Sequence, residues 1–143
     1  MIKTGIENLI KVYEKKLEFK LASLRYIDVV NVNDYEFDNW KNFIESNINF
    51  KFDNLFDTKG ELKQFNFSQT FDLEDESELQ IVLSNGKNER NEDIFIWETN
   101  VIKIFDFNKE QLFTWVDKAH NMTSDLFKKL CREDFYASFT ETK

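Results

Sequence analysis

The single histidine of the chain, His120, stands three residues after Asp117 and four before Ser124 in the stretch TWVDKAHNMTSDLF, residues 114–127. On a helix those spacings make neighbours, and an acid, an imidazole and a hydroxyl within reach of one another are the parts of an acyl-transfer triad. A triad also needs donors aimed at a developing oxyanion and a pocket for the scissile group. A solvated helix face supplies neither. Wound at roughly 100° per residue, the segment gathers Leu112, Trp115, Val116, Ala119, Met122, Leu126, Phe127 and Leu130 into one apolar stripe. His120 falls at the stripe's edge, with Asp117 and Ser124 further toward solvent. The three read as a polar cluster on a helix surface, His120 being at most a lone pH-responsive contact, and no catalytic residue is assigned.

A second concentration of chemistry is the run DLEDESE, with Asp72, Glu74, Asp75, Glu76 and Glu78. It lacks the glycine that gives an EF-hand loop its sharp turn, so calcium is not expected there. Its plain reading is a solvated loop between strands. Its functional reading is a negative patch, extended by Glu89, Glu92 and Asp93 of the next loop, that docks a basic protein surface or imitates nucleic-acid phosphates. With one cysteine, Cys131, and one histidine, neither a disulfide within the chain nor a Cys- or His-rich metal site can be built. No Gly-rich phosphate loop is present, so neither metal nor cofactor is expected. Cys131 has no histidine near it in sequence and reads as an inert half-buried thiol. Trp40, Trp97 and Trp115 read as core residues.

The charge balance narrows the partners. A net charge of -8 and a pI near 4.8 make the average surface repel phosphate and anionic lipid, and Lys15-Lys16 and Lys128-Lys129 with Arg132 are too small to form a basic patch. No direct nucleic-acid contact is expected. The sequence has no run of about eighteen apolar residues and no signal-peptide core at its start. A soluble protein of the reducing cytoplasm is the expectation.

The elements that position these residues follow from periodicity. Ile6, Leu9, Ile10, Tyr13 and Leu17 predict a helix ending near residue 20. SLRYIDVVNV predicts a strand with Leu24, Tyr26, Val30 and Val32 on one side, Asp28 interrupting that set at a bulge or edge position. Phe37, Trp40, Ile44 and Ile48 predict a second helix, capped by Asn33 or Asp34. A turn at Gly60 leads to a strand with Phe65, Phe67, Gln69, Phe71 and Leu73 on one face. Two further strands form a hairpin over an Asn-rich loop containing Gly86, the second bending at Glu98 to Asn100 where the alternation changes phase. A long last helix starts at Asn108, with Gln111 completing a capping box, and runs to the mid-130s. With three Gly and no Pro, turns fall to Asn, Asp and Ser. The order predicts one α+β domain over 1–143: an antiparallel sheet of four to five strands, amphipathic helices on one face and a long C-terminal helix.

Three stretches carry a resemblance: LRYID at 24–28, IWETNVIKIFDF, and LFTWVDKAHNMTSDLFKKL with its Trp115, His120 and Phe127 spacing. Together they resemble the C-terminal part of a sporadically distributed family of uncharacterised bacterial proteins, whose signature includes LRYIN after a helix and whose members carry a further N-terminal region. The resemblance spans most of residues 9–135 and implies that the chain is a C-terminal portion or truncated homologue. It also implies that Trp115, His120 and Phe127 belong to a structural helix signature. The strand reads ETNV where the family has an aspartate-containing DIDV-like run, so no role for that aspartate carries over. The expected function is a non-enzymatic, protein-binding module of a bacterial defence or conflict system. The alternatives are an acidic, immunity-type inhibitor or nucleic-acid mimic that blocks a basic partner, and a small-molecule-binding domain or enzyme with a pocket between helix and sheet.

Overall fold

The apolar runs in the second half of the chain pair with one another. The computed structural model describes residues 2–12, 19–51 and 60–139. In it, β2 (Asn66–Asp72), β3 (Glu78–Lys87) and β4 (Asp93–Phe107) form an antiparallel meander, and β1 (Phe19–Asn31) closes against β4 in the order β1-β4-β3-β2. The helices are α1 (Ile2–Val12), α2 (Trp40–Asn47), α3 (Lys109–Leu130) and α4 (Glu133–Ser138), with a 3₁₀ turn over Val32–Tyr35. The fold is α+β, a four-stranded open sheet with a long C-terminal helix. No helix among the described residues is long and apolar enough to cross a membrane.

Alternation decides which face the helices cover. Ala22 and Leu24 on β1, Leu79 and Leu83 on β3, and Phe95, Trp97 and Val101 on β4 are buried, while Ile27, Val29 and Ile104 point to the open face and stay exposed. The inward set divides in two. One cluster packs Trp40, Phe43 and Ile44 of α2 and Phe135 of α4 against Leu83, Phe95 and Trp97. The other packs Leu112, Trp115 and Ala119 of α3 against Ala22, Leu24, Leu79 and Val101. Thr99 and Thr123, both buried, lie between the two clusters in sequence and belong to neither.

Several boundaries differ from the sequence expectation, each for a local reason. The first helix does not reach residue 20, because Phe19 already pairs with Phe107 in β1; Tyr13 and Leu17 lie outside the described residues. Helix α2 is capped by Asn39, whose side chain accepts from Asn42 N at 3.0 Å, whereas Asn33 and Asp34 belong to the 3₁₀ turn. Asp28 sits on an edge strand but at no bulge: the β1–β4 register is continuous from Leu21 to Asn31. Strand β4 does not bend at Glu98 to Asn100. Phe95, Trp97, Thr99 and Val101 are all buried in one phase, and Thr99 is tolerated because its hydroxyl accepts the Trp97 Nε1–H at 2.9 Å. Gly86 lies in β3 opposite Ile94, before the loop.

The capping box at Asn108 and Gln111 forms as expected, but α3 stops at Leu130. There Cys131 turns extended and bridges to Ile48, and Asn49 donates from its backbone to Leu130 O at 2.7 Å and from its side chain to Lys129 O at 2.9 Å. These bonds satisfy carbonyls that a helix end leaves open, and α4 restarts beyond them. Left-handed backbone occurs at Glu36, Glu76 and Asn91, so two of these three positions are glutamates instead of the Asn, Asp or Ser expected of turns.

Candidate functional site

Where the two core clusters fail to merge, the sheet and the C-terminal helices leave a cleft. Strand β4 forms its floor with Trp97 and Thr99, β1 one wall with Tyr26 and Asp28, and α3 the other with His120, Thr123 and Ser124. Tyr136 of α4 closes the end, and this lobe holds about 210 Å³. A second lobe of about 210 Å³ adjoins it across Asp28, Trp97 and Phe127 and is lined further on by Tyr35, Cys131 and Phe139. Asp28, Trp97 and Phe127 are the residues common to both lobes. Trp97 and Phe127 stack at this waist at 5.0 Å between centroids.

The electrostatics of the cleft are one-sided. Among the described residues no lysine or arginine lines either lobe, while Asp28 lines both and Asp34 lines the second. Asp28 follows Leu24 and Tyr26 on the inward side of β1, and makes no hydrogen bond or ion pair among the described residues. The residue is exposed at the sheet edge, yet partial desolvation of the carboxyl on its cavity side, with no compensating donor, pushes it above the ordinary carboxylate range. Across the first lobe the Tyr26 hydroxyl lies 2.6 Å from His120 Nδ1. The hydroxyl donates when the ring carries its proton on Nε2, which leaves an Nε2–H donor. Ser124 lines the lobe without a hydrogen bond of its own.

The residues singled out from the sequence are distributed unevenly around this site. His120 and Ser124 reach the cleft. Asp117 does not line it, its carboxylate being held by Lys3 Nζ at 2.6 Å. No hydrogen bond links His120 to Ser124. The carboxylate nearest in role is Asp28, ninety-two positions before His120 in the chain, and Tyr26, Thr99 and Tyr136 join it from other elements. One signal for Asp28 was present: an acid in phase with Leu24, Tyr26, Val30 and Val32 interrupts an otherwise apolar set, and at the edge of the sheet its side chain stays exposed. Cys131 is buried, and burial together with the Asp28 charge pushes its thiol up to about 11. It therefore stays protonated and unreactive at neutral pH.

The eight acidic residues do not form one surface. Asp72, Glu74, Asp75, Glu76 and Glu78 flank the start of β3, and Glu89, Glu92 and Asp93 lie beyond its end. A ten-residue strand separates the groups, roughly 33 Å. The 89–93 residues therefore do not extend the 72–78 patch. Half of the eight are engaged locally. Asp75 takes Lys118 Nζ at 3.0 Å and Ser77 N at 3.2 Å, Glu78 takes Gln80 at 2.6 Å, Glu92 takes Asn88 at 2.7 Å, and Asp93 pairs with Lys87 at 2.5 Å. Asp72, Glu74, Glu76 and Glu89 are exposed. The 72–78 run is a tight turn, with Leu73 N bonded to Ser77 O at 2.8 Å. Among the described residues no group of three His, Cys, Asp or Glu could hold a metal ion.

Trp40, Trp97 and Trp115 are all buried. The Trp115 Nε1–H reaches Ser77 Oγ at 3.0 Å, which pins α3 to the β2–β3 turn. No family model, curated protein or solved structure matches the chain.

Proposed function

We propose that the domain is a non-enzymatic binding module that works through the cleft between β1, β4 and the α3–α4 corner. The observation that carries this reading is the Asp28 carboxylate, which lines both adjoining cavities and has no hydrogen-bond or ion-pair partner among the described residues. An exposed carboxylate that faces a cavity and pairs with nothing contributes little to the fold, whereas in a binding site its partner can be a ligand. Binding is favoured over catalysis because the candidate nucleophiles are not activated: Ser124 has no bond to His120, and the Cys131 thiol is pushed up to about 11. The division of the acids between two ends of β3 weighs against a single charged docking face.

Amide chemical-shift mapping with a mixed fragment library tests this reading, with polylysine as a separate basic probe. The expected result is a set of shifts concentrated at Tyr26, Asp28, His120 and Tyr136. Fragments that leave those resonances still, with polylysine moving the 73–77 and 88–92 turns, would return function to the acidic loops.

A further inference from the structure

Resting on the cleft reading above, we propose that the ligand carries an organic ammonium group, seated at the waist beside Asp28 with its apolar body in the ring-lined second lobe. Charge excludes the other classes first. A phosphate or carboxylate ligand would meet Asp28 and Asp34, with no lysine or arginine among the described residues lining either lobe, on a chain of net charge -8. A neutral ligand would displace water from the exposed Asp28 carboxylate and supply no counter-charge, at a desolvation cost. A cation removes that cost by completing the pair.

The walls suit a cation of low hydration. Tyr26, Trp97, Phe127 and Tyr136 line the first lobe, and electron-rich ring faces attract alkylammonium groups. The second lobe adds Tyr35, Phe95 and Phe135, with Tyr35 and Phe135 in edge contact at 5.3 Å. The polar rim is made of groups able to accept or donate: the hydroxyls of Thr123 and Ser124 and the imidazole of His120. A lobe of about 210 Å³ takes a head the size of a trimethylammonium or lysine terminus and excludes a bulky polycation. The same head can arrive on a free amine or on a lysine side chain presented by a partner protein.

Three molecules of one shape test this on the wild-type protein: choline, its neutral isostere 3,3-dimethylbutan-1-ol, and the anion 3,3-dimethylbutanoate, each titrated while the cleft amides are followed. Choline is expected to move Tyr26, Asp28 and His120 in a saturable way, and the other two are not. Asp28→Asn is expected to weaken choline about tenfold or more, and Tyr136→Leu about threefold, both with unchanged amide dispersion elsewhere. If the neutral alcohol or the anion binds the cleft as well as choline does, the ammonium assignment is overturned and the cleft reading stands. If none of the three moves the cleft resonances, the assignment is likewise overturned, and the cleft reading falls with it only if the fragment library also leaves the cleft silent. Nα-acetyl-lysine methylamide, run in parallel, separates the sources: tighter binding than choline points to a side chain on a partner, weaker binding to a free amine.

Discussion

Two gaps of nearly equal size lie between the sheet and α3, and an aspartate lines each. The gap at Tyr26 and His120, about 210 Å³, holds Asp28 without a partner. The gap at Leu73 and Met122, about 220 Å³, holds Asp75, which Lys118 crosses to meet at 3.0 Å. Each gap also has a buried tryptophan whose indole N–H is satisfied by a hydroxyl, Trp97 by Thr99 at 2.9 Å and Trp115 by Ser77 at 3.0 Å. The scaffolding is alike and the charge is handled in opposite ways. At Asp75 burial works against ionisation, but hydrogen bonds from Lys118 and Ser77 outweigh it and the carboxyl titrates below its ordinary range. At the more exposed Asp28 partial desolvation acts alone and the carboxyl titrates above it. The first arrangement is what a stable fold selects; the second makes sense when the partner comes from outside.

The largest expected effects fall on what the two gaps share. Trp115→Ala and Trp97→Ala should each lower the unfolding free energy by about 3–5 kcal/mol in urea titrations, since both indoles are buried. Markedly unequal losses would show that one gap is less firmly built than the other. Ser77→Ala and Thr99→Val should each cost about 1–3 kcal/mol, because a buried indole N–H loses its acceptor. The aspartates themselves should then separate the gaps by sign. Asp28→Asn should raise the neutral-pH Tm only slightly, because the carboxylate is largely solvated, and Asp75→Asn should lower it.

The pH dependence of those two Tm differences follows from linkage. Asp28, with its folded-state value raised, imposes a cost above that value, and the cost disappears once pH falls below the unfolded value of about 3.9. Asp75, with its folded-state value lowered, contributes stability above about pH 3.9 that is lost as pH falls through the folded-state value. Thermal melts across pH 7 to 2 should therefore show both differences shrinking toward zero in acid from opposite sides. The smallest effect is reserved for the exposed acids: Glu74→Gln and Glu89→Gln should leave the urea midpoint and choline binding where they are.

Much of the fold was legible because the strong signals are local. The Asn108 to Gln111 capping box and the apolar stripe of α3 need only neighbouring residues to be read, and the β3–β4 hairpin needs two runs and a turn. Misreadings arose where a distant residue decides. Thr99 resembled a change of phase because its acceptor role toward Trp97 is invisible in an alternation pattern, and α3 was carried past Leu130 because Asn49, the residue that ends it, lies eighty-one positions earlier. The site suffered most. The helix pattern places His120 on a solvated face with no pocket, whereas the structure puts it on a cleft and its neighbouring acid, Asp117, on Lys3; the aspartate it shares that cleft with comes from an edge strand whose pairing with β4 no local pattern reveals. The acidic run drew notice by composition, and composition does not show that Asp75 is already paired.

The most direct test is to follow the Asp28 carboxyl by carbon-detected NMR through a pH titration, without and with saturating choline. The account predicts a midpoint above the ordinary carboxylate range in the free protein and a fall when the ammonium is bound, because a cation at the waist stabilises the ionised form. A midpoint at or below the ordinary range in the free protein, or one that saturating choline leaves unchanged, would contradict it.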